Sequence, residues 1–146
     1  MRPLLSGQWY GHYQYGEEYA PKLVGEKVKF SFLLEDLSDN HFRGKCIEID
    51  GIGASTEISL VQGCLEGVDI SFTKEYPQRY FIDEDGKDSK MPDDVCVNLI
   101  YKGIYHPRLQ SFSGTWELWK NEADEEEGTF IDVFSGKWVM SRKPNI

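Results

Sequence analysis

The stretch Gly7-Gln8-Trp9-Tyr10-Gly11-His12-Tyr13-Gln14-Tyr15 decides the fold, because its side chains alternate between two faces and glycines interrupt the aromatic residues. The same spacing returns in residues 28–32, 70–76 and 112–118. Period-two alternation divided by glycine-containing turns predicts a series of antiparallel strands. Most connections between these segments are short, so consecutive strands are expected to pair as an up-and-down meander.

The alternation predicts eight to ten short strands and no helix. The main strands are expected at residues 8–17, 27–35, 41–50, 56–62, 68–76, 95–101, 110–119 and 128–134. Residues 79–82 are a candidate short strand, residues 83–90 read as a polar loop, and residues 137–142 could complete a closure. A meander of this length usually closes on itself. We therefore predict one all-β domain, residues 1–146, folded as a single antiparallel up-and-down β-barrel of eight to ten strands.

Amino-acid composition limits the classes of protein to which this chain can belong. Of the 146 residues 14% are aromatic, which is enough large apolar surface to fill one interior. The formal net charge of -9 disfavours binding to nucleic acid or to anionic membrane surfaces, since both need a basic surface. The three cysteines, Cys46, Cys64 and Cys96, are an odd number without metal-type spacing, and the N-terminus has no apolar leader segment. We expect a reducing, cytoplasmic location.

The segment Gly7-Gln8-Trp9 opens the first predicted strand, and a β-meander follows it. In this arrangement the chain resembles the calycins, which comprise lipocalins, intracellular fatty-acid-binding proteins and avidins. The resemblance implies that Trp9 packs across the closed end of the barrel and that a basic residue near the last strand, Arg142 or Lys143, lies over its ring. We take Arg142 as the partner in this structural plug, because a guanidinium over an indole is a favourable cation–π contact. The resemblance implies a lipocalin-like fold and leaves the ligand open.

Lys74 is the one charged residue in phase with the apolar side chains of the predicted strand 68–76. If this face points inward, an ammonium group enters the barrel, and its burial is costly unless it is paired. One interpretation is that Lys74 anchors an anionic group of a ligand. The alternatives are that it reaches solvent from the strand end or that it pairs with a structural carboxylate. The candidate carboxylates are Glu35, Glu57 and Glu117.

Aromatic residues on the inward faces form the candidate ligand-binding wall. The predicted binding residues are Tyr13, Tyr15, Phe30, Phe32, Phe72, Lys74, Tyr76, Tyr101 and Trp116. Tyrosine hydroxyls set in an apolar wall are typical of small-molecule pockets. The alternative is that the same rings simply fill the interior, since an eight-stranded barrel is just wide enough to be filled or to hold one small ligand.

The sequence offers no catalytic motif. It has no nucleophile elbow and no phosphate-binding loop, and its scattered histidines, His12, His41 and His106, lack metal-ligand spacing. We therefore expect no catalytic residue, no metal and no cofactor. A calycin-type enzyme that uses the barrel cup, with Glu117 or Arg79, stays an alternative that we favour less than binding.

We predict a barrel that binds a small, partly apolar ligand, with or without an anionic group. The alternative to ligand binding is a packed barrel that serves as a protein-interaction or structural module. The expected partner is a small apolar or amphipathic molecule. We expect no nucleic acid, no membrane insertion, and either a monomer or a homodimer.

Overall fold

A computed structural model describes residues 3–55, 57–76, 80–82, 88–90, 96–124 and 128–143, and their side chains outside 80–98 and 120–132. These residues form ten strands, and no helix among them is long and apolar enough to cross a membrane. The strands are β1 (Gly7–Tyr15), β2 (Lys27–Asp36), β3 (His41–Asp50), β4 (Ser59–Glu66), β5 (Asp69–Glu75), β6 (Tyr80–Ile82), β7 (Asp88–Lys90), β8 (Cys96–His106), β9 (Ser111–Asp124) and β10 (Gly128–Ser141).

Eight of these strands form a closed antiparallel barrel. Their order around the ring is β1-β10-β9-β8-β5-β4-β3-β2, so each strand pairs with its neighbours along the chain and β1 pairs with β10. The remaining strands, β6 and β7, form a separate two-stranded hairpin between β5 and β8. The predicted fold class, an all-β antiparallel up-and-down barrel, is confirmed.

Several predicted strand ends differ from the observed ones by up to five residues, and in two places the predicted element itself is wrong. Residues 128–134 and 137–141 belong to a single strand, β10, because Gly136 pairs with Trp116 of β9 and the ladder continues through it, while Arg142 follows the end of the strand. Part of the predicted polar loop at residues 83–90 is strand β7, which pairs with β6. In both places polar or small residues resemble a break in the sequence, although their backbone groups still pair with a neighbouring strand.

The alternation in β2 shows how the interior is built. Val28, Phe30, Phe32 and Leu34 are buried, while Lys27 and the other intervening residues of the strand are more exposed. This is the pattern of a strand with one face on the core and one in solvent.

A layer of aromatic rings spans the middle of the barrel. The Phe72 ring of β5 lies 5.7 Å from the ring of Phe32 in β2 and 5.4 Å from that of Trp138 in β10. It also stacks on Tyr101 of β8 at 4.8 Å. Since β2 and β10 each lie three strands from β5, on opposite sides of the ring, these contacts cross the barrel and fill it at this level.

Strands β9 and β10 contain two copies of one short motif, Gly114-x-Trp116 and Gly136-x-Trp138. The strands are antiparallel, and their register places Trp116 opposite Gly136 and Trp138 opposite Gly114. Each tryptophan therefore faces the glycine of the other motif. We call this arrangement the reciprocal Gly-x-Trp pair.

Each indole of the reciprocal Gly-x-Trp pair reaches beyond the strand that carries the facing glycine. The Trp116 Nε1 donates to the carbonyl oxygen of Gln14 in β1 at 3.1 Å, and the Trp138 Nε1 donates to that of Lys102 in β8 at 3.0 Å. A Cβ atom at Gly136 would lie 1.9 Å from the Gln14 oxygen and 2.5 Å from the Trp116 Nε1. Glycine is therefore required at this close approach.

Replacing Gly136 by valine should destabilise the barrel, because the added side chain displaces the Trp116 indole and separates β10 from β1. Overpacking of this kind costs about 3 kcal/mol or more of unfolding free energy. Urea denaturation followed by tryptophan fluorescence measures the loss. Lys137→Val, at the next and exposed position of β10, is the matched control and should change stability little. Equal stability of the two variants would contradict the packing role of Gly136.

Candidate functional site

One end of the barrel is sealed by Trp9 and Arg142, which the structure brings together. The Arg142 Cζ lies 4.2 Å from the centroid of the Trp9 ring, and its guanidinium donates to the carbonyl oxygens of Leu4 at 2.9 Å and Gln8 at 3.3 Å. The Trp9 Nε1 donates to the carbonyl of the fully buried Leu5 at 2.7 Å. The N-terminal segment thus covers this end, and a candidate site belongs to the other half of the barrel.

Lys74 lies in that other half, near the end of β5, and its side chain is completely buried. The Nζ atom lies 3.3 Å from the Oε2 atom of Glu48 in β3, whose side chain is 1% exposed. The carboxylates proposed from sequence are not its partners in the structure. Glu35 contacts Arg43 on the surface, Glu117 is exposed, and Glu57 keeps a buried Oε2 atom without a hydrogen-bond partner.

The Glu48 carboxylate is held by three further donors. The Tyr13 hydroxyl donates to Oε1 at 2.8 Å, and the backbone N–H of Ser55 donates to the same atom at 3.1 Å. The Tyr76 hydroxyl donates to Oε2. With Lys74 as the fourth partner, both carboxylate oxygens are satisfied inside the barrel, as a buried charge requires.

Three tyrosines surround the Lys74 ammonium. Its Nζ atom lies 4.7 Å from the ring centroid of Tyr13, 5.0 Å from that of Tyr76 and 5.6 Å from that of Tyr101, whose hydroxyl is 3.5 Å away. Cation–π attraction stabilises an ammonium in such a setting. We call Lys74, Glu48 and these three tyrosines the polar cluster. Because β1 and β5 lie on opposite sides of the ring, the contact between Tyr13 and Lys74 crosses the interior.

The surroundings favour the charged forms of both Lys74 and Glu48. Burial alone would raise the pKa of Glu48, but Lys74 and the hydrogen bonds from Tyr76 and Tyr13 more than offset it, so the pKa is lowered. Burial alone would lower the pKa of Lys74, but its surroundings, which include Tyr101 and Glu48, raise it well above its ordinary value. The polar cluster therefore contains a zwitterionic pair at neutral pH.

The other ionisable groups of this region are held neutral. Burial raises the pKa of each of the three cluster tyrosines above the ordinary value. Burial likewise raises the pKa of the Cys46 thiol to about 11. Among the described side chains of this half of the barrel, the structure thus offers no nucleophile with a lowered pKa. Of the two enzyme candidates, Glu117 is exposed and Arg79 lies outside the described residues.

All nine predicted binding residues lie in the interior or at its rim. Eight are buried, and Tyr76 is half-buried. Tyr13, Lys74, Tyr76 and Tyr101 meet in the polar cluster, whereas the three phenylalanines belong to the aromatic packing of the core.

Tyr15 and Trp116 lie near the rim, outside the polar cluster. The Tyr15 hydroxyl donates to the carbonyl of Ile52 at 2.7 Å, and both rings contact Tyr19 from the connection between β1 and β2. The packing of Tyr19 and of the buried Leu23 was not anticipated from sequence.

Glu48 is the residue of the polar cluster that sequence reasoning missed. It lies in an acidic stretch at the end of β3, which resembles a solvated strand end. The signal was nevertheless present, because Glu48 is in phase with the buried Phe42 and Cys46 of the same strand. Strict period-two counting along β3 would have placed this carboxylate inside, opposite to Ile47 and Ile49.

Comparisons with known proteins do not assign this chain to a family. No family model matches this chain, and no curated protein sequence matches it. Among solved structures, the crystal structure of rhizavidin is similar, with a TM-score of 0.44 and 10% sequence identity over 94% of this chain and 85% of that one.

Breaking the buried ion pair should cost more than removing it. Lys74→Met leaves the Glu48 carboxylate buried without its counter-ion and should lower the free energy of unfolding by about 3–5 kcal/mol. The double variant Lys74→Met/Glu48→Leu removes both charges and should recover part of that loss, since the Tyr13 and Tyr76 hydroxyls and the Ser55 N–H then lack their acceptor. Chemical denaturation of the wild type, Lys74→Met, Glu48→Leu and the double variant gives the four stabilities of the cycle.

The matched control for that cycle is Arg43→Met, which breaks the exposed Arg43–Glu35 pair and should cost about 0–1 kcal/mol. If the loss of unfolding free energy in the double variant equals the sum of the losses in the two single variants, mutual neutralisation of Lys74 and Glu48 is contradicted.

Stability should also depend on pH through the cluster. The lowered pKa of Glu48 contributes stability that is present above its unfolded value of 4.5 and is lost as the pH falls through the folded value. The raised pKa of Cys46 contributes stability that is present below 9.0 and is lost as the pH rises toward about 11.

Urea denaturation across the pH range should therefore show a plateau between about pH 5 and 9. The acid limb should be shallower in Lys74→Met/Glu48→Leu, and the start of the alkaline limb should move upward in Cys46→Ala. Identical acid limbs in the wild type and the double variant would exclude Glu48 as a contributor.

Proposed function

We propose that this protein binds a small, partly apolar ligand in the half of the barrel that contains the polar cluster, with Lys74 and the tyrosine hydroxyls as polar anchors. The observation that supports the proposal is the buried Lys74–Glu48 pair inside the tyrosine cage. Apolar residues of similar volume would stabilise a barrel at least as well. Ionisable groups with shifted pKa values that converge at one interior point are typical of functional sites.

The chemistry of the cluster indicates the class of ligand. An anionic group on the ligand would compete with Glu48 for the Lys74 ammonium. The cluster tyrosines are neutral and their hydroxyls both donate and accept, so they can hydrogen-bond to the ligand or to Glu48. The aromatic rim formed by Tyr15, Tyr19 and Trp116 would pack against an apolar or aromatic body. We therefore propose an amphipathic molecule with a hydrogen-bond-accepting or acidic head group.

Binding requires movement at the rim, because the interior is crossed by contacts at two levels. The layer of aromatic rings around Phe72 and the contact between Lys74 and Tyr13 both close the interior. The ligand therefore has to bind on the outer side of the polar cluster. On that side the Tyr15 hydroxyl donates to the carbonyl of Ile52, and the Ser55 N–H donates to Glu48. Ile52 and Ser55 both belong to the connection between β3 and β4. We propose that this connection shifts when the ligand enters.

A second candidate function follows from the same contacts. If the interior stays filled, the barrel is a packed scaffold whose outer faces bind a protein partner. The observation that favours this function is the complete hydrogen bonding around Glu48, which already engages the O–H groups of Tyr13 and Tyr76 and the N–H of Ser55 as donors. An enzyme is the least favoured class, because the described cluster lacks an activated nucleophile.

Native mass spectrometry of freshly purified protein separates the two candidates. Ligand binding predicts a co-purifying mass on the wild type that disappears under denaturing conditions. The double variant Lys74→Met/Glu48→Leu should lose at least about tenfold in occupancy, which corresponds to one lost polar anchor of about 1.4 kcal/mol. Arg43→Met, whose change lies on the surface, should keep the mass.

Two results would count against the ligand-binding proposal. A wild-type protein that carries no extra mass and gains no thermal stability from a set of fatty acids and aromatic carboxylates would exclude the ligand-binding proposal. Loss of the mass in Arg43→Met to the same degree as in the double variant would show that binding does not depend on the cluster.

A further inference from the structure

The outer face of β2 to β5 carries an ordered row of four residues. Leu33, Lys45, Leu60 and Glu75 pair in register from strand to strand, Leu33 with Lys45, Lys45 with Leu60 and Leu60 with Glu75. All four are exposed, and each leucine is 57% exposed. We call this set the outer row. Its order is apolar, basic, apolar, acidic.

The outer row borders a depression in the surface. The depression has a volume of about 540 Å³ and crosses β3 and β4, where Leu33, Arg43, Lys45, Leu60 and Glu75 are among the residues that line it. Two more apolar side chains on this part of the barrel, Ile47 and Ile58, are about half exposed. Clustered exposed apolar residues with a polar rim are typical of interaction surfaces.

The order of charges in the outer row is self-complementary. Lys45 and Glu75 lie on the two strands that flank β4, each about 4.8 Å from Leu60 in the direction across the strands. Consider a two-fold axis that lies in the plane of contact and runs parallel to β4. Rotation about this axis gives a second copy whose outer row runs in the opposite direction. It places Leu60 against its own copy and Lys45 against Glu75 of the second copy, twice by symmetry. A two-fold axis along the row would instead oppose like charges.

We propose that this face binds the same face of a second copy of the chain, so that the protein forms an isologous dimer along β4. Leu60 and Ile58 form the apolar centre, the two Lys45–Glu75 pairs flank it, and the depression lined by Leu33 and Leu60 receives side chains of the second copy. The chain carries a net charge of -9, so two copies repel each other at long range. The dimer should therefore strengthen as salt screens this repulsion, up to the point where the Lys45–Glu75 pairs are screened as well.

Charge exchange tests the proposal. Sedimentation equilibrium over a wide concentration series should show a monomer–dimer equilibrium for the wild type. Lys45→Glu and Glu75→Lys should each weaken dimerisation roughly tenfold or more, because each opposes like charges. The combined variant Lys45→Glu/Glu75→Lys restores opposite charges across the axis and should dimerise nearly as well as the wild type.

Two further variants define the outcome. Leu60→Asp places two carboxylates on the axis and should abolish the dimer, while far-ultraviolet circular dichroism shows that the barrel is intact. Lys137→Glu makes the same charge change on the outer face of β10 and should leave dimerisation unaltered. A wild type that stays monomeric throughout, a combined variant weaker than both single ones, or an effect of Lys137→Glu as large as that of Lys45→Glu would overturn the proposal.

Discussion

The contact between Lys74 and Glu48 governs how the interior of this barrel is arranged. A buried ammonium needs a counter-ion, and a buried carboxylate needs donors for each of its oxygens. Meeting these needs draws side chains from β1, β3 and β5, together with the backbone of Ser55, to one point. The polar cluster occupies one half of the barrel, and a cover of indole, guanidinium and N-terminal backbone seals the other end. The barrel is thus polar at one end and apolar at the middle.

The aromatic residues next to the polar cluster pack through specific ring contacts as well as through their apolar area. The Phe72 layer fills the barrel because rings from strands three apart meet over it. The indoles of Trp116 and Trp138 satisfy their own N–H groups with backbone carbonyls at the same time. Each buried indole therefore contributes packing without an unpaired donor, which a core this rich in tryptophan and tyrosine requires.

The fold could be predicted from the sequence further than the site could. Alternation in segments such as residues 27–35 is a local signal, and nearest-neighbour pairing carries it directly to a closed meander. The position of Lys74 inside the barrel follows from the same counting. Its partner does not, because the contact between β5 and β3 depends on how side chains reach across β4, which a linear pattern does not contain. Sequence reasoning also missed Glu48 because an acidic strand end resembles solvent-exposed surface.

The indoles of the reciprocal Gly-x-Trp pair limit the substitutions that related sequences can carry. The Trp116 indole occupies the space above Gly136, and the Trp138 indole reaches past its facing glycine and occupies the space above Gly103 of β8. A side chain at Gly136 or at Gly103 would meet an indole and also a backbone carbonyl oxygen of the neighbouring strand. A related sequence that keeps both tryptophans is therefore expected to keep Gly136 and Gly103 as well.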